Sequence, residues 1–456
     1  MHFARVVVLP IAALFLVPGP AVGGATEFQQ GRTIGRVPAV LPSRARVEPI
    51  NRMLRDRLDN LLPGLMREAS IDLWLVINRE YAEDPVYPTL VPDPFPGARR
   101  TSMLVFHDRG PEQGVERLSV SRYPIADLYE AAWPGGTDDD QWRRLGKVVA
   151  ERAPRRIGID TSRDWAFGDG LSSGLRNRLA QALGPELEAR IVPAEALCLR
   201  WLETRSAQEL EVYPRAVAIA RAVIEEAFSS QVITPGVTTT DDVAWHIRSR
   251  FEELDLDPWF HPDVNLQRAG KPGASDAPFL GEEGLIEPGD VLHTDVGICY
   301  LRLCTDTQEL GYVPRSGESD VPEGLRLALA AGNRWQDLLT KEFRVGRSGN
   351  EILAAARRAA EAQGLQATVY SHPIGFHGHA AGPTIGMWDN QGPTPVRGDW
   401  PLRPSTAYAI EGNVLVPVPE WGGQVVQIKL EQSAVFDGTS VRYLAGRQTT
   451  WHVVGP

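Results

Sequence analysis

The chain has 456 residues, 43% of them hydrophobic and 23% charged, with a formal net charge of −11. That length allows two to four domains, and that composition buries a core, which excludes a disordered chain, a coiled coil and a collagen-like fibre. The acidic balance, with no sustained Lys/Arg stripe, argues against a nucleic-acid partner, and three cysteines are too few for a disulfide scaffold.

Arg5 ends a short basic stretch, and residues 6–17 (VVVLPIAALFLV) are almost wholly apolar. A membrane span needs about 20 such residues. The small residues Ala21, Gly23, Gly24 and Ala25 follow. This is the layout of a secretory signal peptide over residues 1–25. The expected location is secreted or periplasmic, with no membrane attachment after cleavage. Cys198, Cys299 and Cys304 are an odd number, so at least one thiol is unpaired within the chain, which favours its burial. Residues 26–46 are polar with Gly and Pro and read as a linker.

From residue 47 to 203, helix-like and strand-like segments alternate, as in an α/β domain. Helices are predicted over Arg52–Glu68, Gln141–Glu151 and Leu171–Leu183. Strands are predicted over Ile71–Ile77, Met103–Phe106, Ser119–Tyr123 and Arg156–Ile159. From 204 to 456 the pattern changes to α+β. Ser206–Ser229 is a long Ala-rich helix opened by a Ser206/Glu209 capping box, with a kink expected at Pro214. Thr239–Leu254 is a second helix. Strands follow, then helices at Pro322–Thr340 and Gly349–Gln363, then strands again. That order suits two related halves.

The chemistry-bearing residues lie in the last third. In Val291–Asp306 (VLHTDVGICYLRLCTD) both flanks alternate, and a hairpin turning at Tyr300–Leu301 would set Asp295 opposite Asp306, with His293 and Gln308 on the same face. Two carboxylates so placed repel unless one is protonated or a cation lies between them. In Tyr370–Gly386 (YSHPIGFHGHAAGPTIG), three of the chain's nine histidines, His372, His377 and His379, sit among glycines. Imidazole is the commonest nitrogen ligand for transition metals, and glycine admits close backbone approach. Glu411 and Glu431 each interrupt an apolar, strand-like run, and a buried charge is costly unless paired or metal-bound. Lys429 shares a face with Glu431 as its natural partner. Four carboxylates and an imidazole suit divalent ions, Mn, Zn, Co or Fe, over copper.

This order and spacing resemble the pita-bread metallopeptidase family of aminopeptidase P, prolidase, methionine aminopeptidase and creatinase. Asp295 and Asp306 look like its aspartate pair, Gly378–Gly382 (GHAAG) like its Gly-His-Gly-Ile-Gly segment, and Glu411 and Glu431 like its two strand glutamates. The likeness runs from about residue 205 to the C-terminus. The front portion looks like a creatinase-type N-terminal domain. The resemblance implies a creatinase-like α/β domain at 47–203 and a pita-bread α+β catalytic domain at 204–456. It implies two divalent ions (Mn, Zn or Co) held by Asp295, Asp306, His379, Glu411 and Glu431, with Asp306 and Glu431 bridging them. GHAAG favours His379 as the ligand, while strand register favours His377. The implied activity is hydrolysis of amide bonds in small peptides, most often Xaa-Pro bonds at a peptide N-terminus, by a chain that pairs as a homodimer. Glu411 would accept the nucleophile's proton. His372, or whichever of His377 and His379 is not a ligand, would stabilise the oxyanion. His293, Lys429 and Trp388 are assigned to substrate binding. The chain departs from the family at Gly386–Asn390 and at Pro278–Leu280, where no histidine stands, and at Lys429, where the family has arginine. A non-peptidase amidohydrolase and a metal-holding binding protein without turnover are the alternatives.

Overall fold

The computed structural model describes residues 36–271 and 283–455, apart from Pro96, Pro124 and Ser319. The expected signal peptide, the first part of the linker and Pro278–Leu280 lie outside the described residues. Helical structure begins at Ser43, inside the segment read as linker. Helix α1 (Ser43–Asp56), a π turn (Arg57–Leu61) and α2 (Leu62–Glu68) follow one another without a gap. Leu54, Leu58, Leu62 and Met66 recur four apart and are buried, with Met53 beside them.

The first sheet has six strands, β1 (Leu73–Arg79), β2 (Thr101–Asp108), β3 (Val115–Ser119), β4 (Glu130–Ala131), β5 (Ile157–Ile159) and β6 (Ile191–Pro193), in the order β4-β3-β2-β1-β5-β6. β1 is buried along six of its seven residues, as expected for a central strand covered on both faces. β3 ends at Ser119, where a strand was predicted to begin. Its pairing with β2 runs from Asp108↔Val115 to Leu104↔Ser119, so the hairpin sets its extent. Helices α3 (Asp138–Arg152), α4 (Ser173–Glu188) and α5 (Glu195–Glu203) complete this part.

Helix α6 (Ala207–Ala227) opens with the predicted box, since Ser206 Oγ accepts from Glu209 N and Glu209 accepts from Ser206 N. It runs unbroken through Pro214. α7 (Thr240–Glu253) follows. A short three-stranded sheet joins β7 (Asp257–Pro258), β10 (Ile298–Tyr300) and β11 (Leu303–Cys304).

The large sheet holds β8 (Asp263–Gln267), β9 (Val291–Val296), β12 (Thr307–Tyr312), β13 (Gln366–Val369), β14 (His372–Ile374), β15 (Thr406–Val418), β16 (Gln424–Phe436), β17 (Val441–Tyr443) and β18 (His452–Val453). Helices α8 (Glu323–Thr340) and α9 (Gly349–Ala362) stand between β12 and β13 in the chain. Its main path is β13-β15-β16-β12-β9-β8. The two expected halves are visible: α6 and α7 lead into β8, β9 and β12, while α8 and α9 lead into β13, β15 and β16. Each helix pair has its own apolar core. The halves meet where β12 pairs with β16, at Gln308↔Glu431.

Candidate metal centre

The pairings place a row of polar side chains across that junction. Asp263 pairs with Asp295, Asp295 with Gln308, Gln308 with Glu431, and Glu431 with Glu411. Directly paired residues project to one face, about 5 Å apart. The hairpin turns at Leu301–Arg302, both at positive φ (53° and 64°), not at Tyr300–Leu301. Cys299 therefore pairs with Cys304 and Asp295 with Gln308. The expected register is off by two residues, and Asp306 is the diagonal rather than the direct neighbour of Asp295. A slip of two keeps both aspartates on one face, because strand side chains alternate with period two. Cys299 and Cys304 form a disulfide, and Cys198 is the buried free thiol that an odd count requires.

His372 opens β14 opposite Ala409, two residues from Glu411 on β15. Its Nε2 lies 3.5 Å from Asp306 Oδ2, 3.6 Å from Glu431 Oε1 and 3.8 Å from Glu411 Oε2. Its Nδ1 is 3.0 Å from the Pro373 carbonyl. A carbonyl can only accept, so Nδ1 carries a proton and Nε2 is the nitrogen turned to the carboxylates. Four buried atoms here have no hydrogen-bond partner: His372 Nε2, Asp295 Oδ1, Asp306 Oδ1 and Glu431 Oε1. Four electron-pair donors converging without a hydrogen fit a cation. Among the described residues, three overlapping sets have ligand atoms within 4.8 Å of one another: Asp306/His372/His379, His372/Glu411/Glu431 and Asp295/Asp306/Glu431.

Burial, then mutual repulsion, drives the carboxyl groups upward. Asp295 and Glu411 are raised well above the ordinary range. Asp306 rises to about 7, through burial and then repulsion from Glu431. Burial alone carries Glu431 to about 8. Without a cation, this cluster holds protons at neutral pH.

The cavity over the row is about 280 Å³. His293, Trp388 and Lys429, assigned to substrate binding, all line it. His293 is buried and engaged on both nitrogens, by Asn265 and Gln308. Trp388 is 52% exposed at the rim. Lys429 is buried, and desolvation lowers its ammonium to about 8 against the pull of Asp263, Asp295 and Glu411. His379 stands at the cavity wall with its ring 4.7 Å from that of His372 and Tyr370 Oη 3.3 Å from its Nε2. Burial, then repulsion by His372 and Arg397, holds it neutral at about 4. His377 is not brought to the carboxylates; it stacks on Phe167 at 4.9 Å. His261 packs on Trp245 at 4.8 Å, outside the cavity lining.

Trp259, Phe260, Asp263 and Tyr370 also line the cavity, and sequence reasoning gave them no role. A signal for Trp259 lay in the glycines. A Cβ on Gly297 would sit 2.0 Å from its Nε1, and one on Gly378 2.1 Å from its Cε2. These two glycines make room for the indole, whose Nε1 donates to the Thr305 carbonyl at 2.9 Å.

Residues 211–435 match the model of metallopeptidase family M24. No curated protein matches the sequence. Among solved structures, an X-Pro aminopeptidase from Thermotoga maritima MSB8 is 18% identical, with a TM-score of 0.60 over 86% of this chain and 100% of that one. An Xaa-Pro dipeptidase from Bacillus anthracis is 17% identical, with a TM-score of 0.58 over 90% and 100%. A histidine-to-alanine variant of Escherichia coli aminopeptidase P is 14% identical, with a TM-score of 0.57 over 88% and 96%. At such identities the likeness speaks for the fold, an N-terminal α/β domain followed by a pita-bread domain. The match over 211–435 identifies that segment as similar to metallopeptidase family M24 and supports a metallopeptidase-like hydrolase.

Proposed function

We propose that the chain is a divalent-metal-dependent exopeptidase that cleaves Xaa-Pro bonds at the N-terminus of small peptides. The observation that carries this is a row of four buried, unpartnered donor atoms, on Asp295, Asp306, His372 and Glu431, that fall in overlapping ligand sets beside a cavity. In this reading Asp295, Asp306, His372, Glu411 and Glu431 hold Mn, Zn or Co, up to two ions, and His372 takes the imidazole place for which GHAAG suggested His379. A bound ion would supply a Lewis acid and a water that ionises near neutral pH. Glu411, on the cavity lining, is placed to accept a proton from a water and would return it to the leaving nitrogen. His379, neutral and held by Tyr370, faces the cavity as the group for the substrate carbonyl. Trp259, Phe260 and Trp388 form an apolar wall suited to a proline ring. His377, away from the carboxylates, has no place in the chemistry.

Residues 1–25 add export to the proposal, and the Cys299–Cys304 disulfide agrees with an oxidising compartment. A non-peptidase amidohydrolase is the second reading, favoured by Gly386–Asn390, which brings Trp388 but no histidine to the rim. A library of short Xaa-Pro peptides separates the two, assayed with Mn²⁺, without it and with chelator. Cleavage that Mn²⁺ restores after chelation is the expected result. Metal-loaded protein that cleaves none of them sinks the peptide assignment and points to another amide.

A further inference from the structure

Away from the metal centre, two acids are buried together in the α/β domain. Asp84 and Asp160 are each 1% exposed and lie within hydrogen-bonding reach of each other. One oxygen of each is taken. Asp84 Oδ1 accepts from Val86 N at 2.8 Å, and Asp160 Oδ1 accepts from Trp74 Nε1 at 2.6 Å and from the Cys198 thiol at 3.2 Å. The other oxygen, Oδ2 in both, is buried and receives no N–H or O–H. Asn78 holds Asp84 N on its Oδ1 at 2.6 Å, but its own Nδ2 reaches no acceptor. Two carboxyl oxygens with only each other for a partner fit one shared proton. The surrounding elements supply no relief. Asp169 adds a negative charge, Glu195 of α5 accepts from Ser162 Oγ, and Arg79 at the end of β1 reaches Ser172 Oγ at 3.5 Å. Among the described residues, no Lys or Arg pairs with either carboxyl. Burial, then repulsion from Asp160, raises Asp84 well above the ordinary range, and burial raises Asp160 to about 6. The two titrate as a pair.

The pair sits at the root of the loop 160–171. Asp160 follows β5 directly, and its carbonyl accepts from Leu171 N at 2.9 Å. At the far end the backbone of Gly170 lies on Asp84, where a Cβ would stand 1.9 Å from Oδ2. The middle of the loop packs on the segment that carries His379 and Trp388. Phe167 stacks on His377 at 4.9 Å, Trp165 meets Trp400 edge-on at 5.7 Å, and Arg397 stands 5.9 Å over the Trp165 ring. Trp165 and Ala381 share one buried apolar core. With its proton the pair carries one charge. Without it, two charges face each other beneath Gly170 with no cation to offset them, and the loop is the part free to yield. We propose that loop 160–171 is a positioning element for the segment bearing His379, latched to its seat by a proton shared between Asp84 and Asp160. The latch holds while the pair keeps its proton. It is released as pH rises past the upper of the two steps, the direction in which raised carboxyls lose their contribution. The proposal rests on the role given to His379 only where activity is read.

The test is hydrogen–deuterium exchange of the Mn²⁺-loaded full-length protein at pH 6 and pH 8.5, corrected for the intrinsic effect of pH, together with kcat and KM on Xaa-Pro peptides. In the unaltered protein, residues 161–171 and 376–387 are expected to exchange faster at pH 8.5 by on the order of 10-fold, while β1 stays unchanged. Asp84→Asn, which supplies an amide hydrogen in place of the shared proton, is expected to keep both segments protected at both pH values. Gly170→Ala, which drives a methyl group into Asp84 Oδ2, is expected to unseat both at both. Turnover should follow: kcat of Asp84→Asn relative to the unaltered protein rises from about 1 at pH 6 to on the order of 10 at pH 8.5, with KM little changed. Equal protection of residues 161–171 at the two pH values in the unaltered protein overturns the latch, and so does release in Asp84→Asn that matches the unaltered protein. Release of 161–171 with 376–387 still protected overturns the positioning role. Protein that cleaves no Xaa-Pro peptide overturns the peptide assignment alone, and exchange in the two segments still decides the latch.

Discussion

At the scale of single residues, the decisive question is which imidazole meets the acids. His372 has Nε2 within 3.8 Å of three carboxylates and its other nitrogen tied to a carbonyl. His379 touches this group only through Asp306 and His372. His372→Ala is therefore expected to abolish tight Mn²⁺ binding, read by elemental analysis, and activity with it. His379→Ala is expected to keep the metal and lower kcat on the order of 10²–10³-fold, the usual cost of losing one oxyanion donor. The reverse pattern would return the ligand role to His379. The sequence shows three histidines among glycines but does not rank them. Parity along a strand ends at Ile374, where β14 ends, and the turns that carry His377 and His379 obey no period. Gln308 was legible as a face-sharing neighbour of His293, whereas its contacts to three acids depend on β12 meeting β16, a pairing 123 residues apart in the chain.

At the scale of elements, local signals were read well and registers less so. The box at Ser206/Glu209 follows from capping chemistry, and the helices at 323–340 and 349–362 follow from apolar spacing. The hairpin turn was misplaced because Leu301 and Arg302 adopt positive φ without the Asn or Gly that announces such a turn. The disulfide spans six residues, so it restricts the unfolded chain only modestly, by about 2 kcal/mol. Cys299→Ser/Cys304→Ser should thus lower the unfolding free energy, read by chemical denaturation, by that amount while leaving metal content unchanged. A larger effect sits at the π turn. Arg57, 1% exposed, donates to Glu209 Oε2 at 2.8 Å and to the Thr204 carbonyl at 2.6 Å, and lies 4.3 Å over Trp201 and 4.9 Å over Phe376. It ties the first helical segment to the capping box of α6. Arg57→Leu leaves the Glu209 carboxylate buried beside Arg205 alone, and such a break costs about 3–5 kcal/mol. Chemical denaturation measures it, and a loss below about 1 kcal/mol would contradict this role.

At the scale of the whole molecule, the acids on different strands form one titrating system, and stability should follow it. Asp306 at about 7, Glu431 at about 8 and Asp295 and Glu411, both raised well above the ordinary range, keep protons in the folded state that an unfolded chain, with carboxyl groups near pH 4, has released. Raised carboxyls stabilise the fold fully at low pH and lose that contribution as pH rises through the folded values. The lowered histidines, His293, His377 and His379, act oppositely, but their effect is complete once pH exceeds the unfolded value near 6.5. Lys429, lowered to about 8, begins to contribute only above that pH. Between pH 6.5 and 8 the carboxyls therefore dominate, and the metal-free protein should melt at a lower temperature at pH 8 than at pH 6.5. A divalent ion removes the need for those protons, and binding releases them. Mn²⁺ at a hundred times its dissociation constant adds about 2.7 kcal/mol; at one fixed Mn²⁺ concentration, affinity and hence the rise in Tm should be larger at pH 8 than at pH 6.5. Calorimetry of stripped and Mn²⁺-loaded protein at the two pH values checks both signs. A stripped protein whose Tm is flat or rising over this range would mean that the acids are not one buried, mutually repelling cluster.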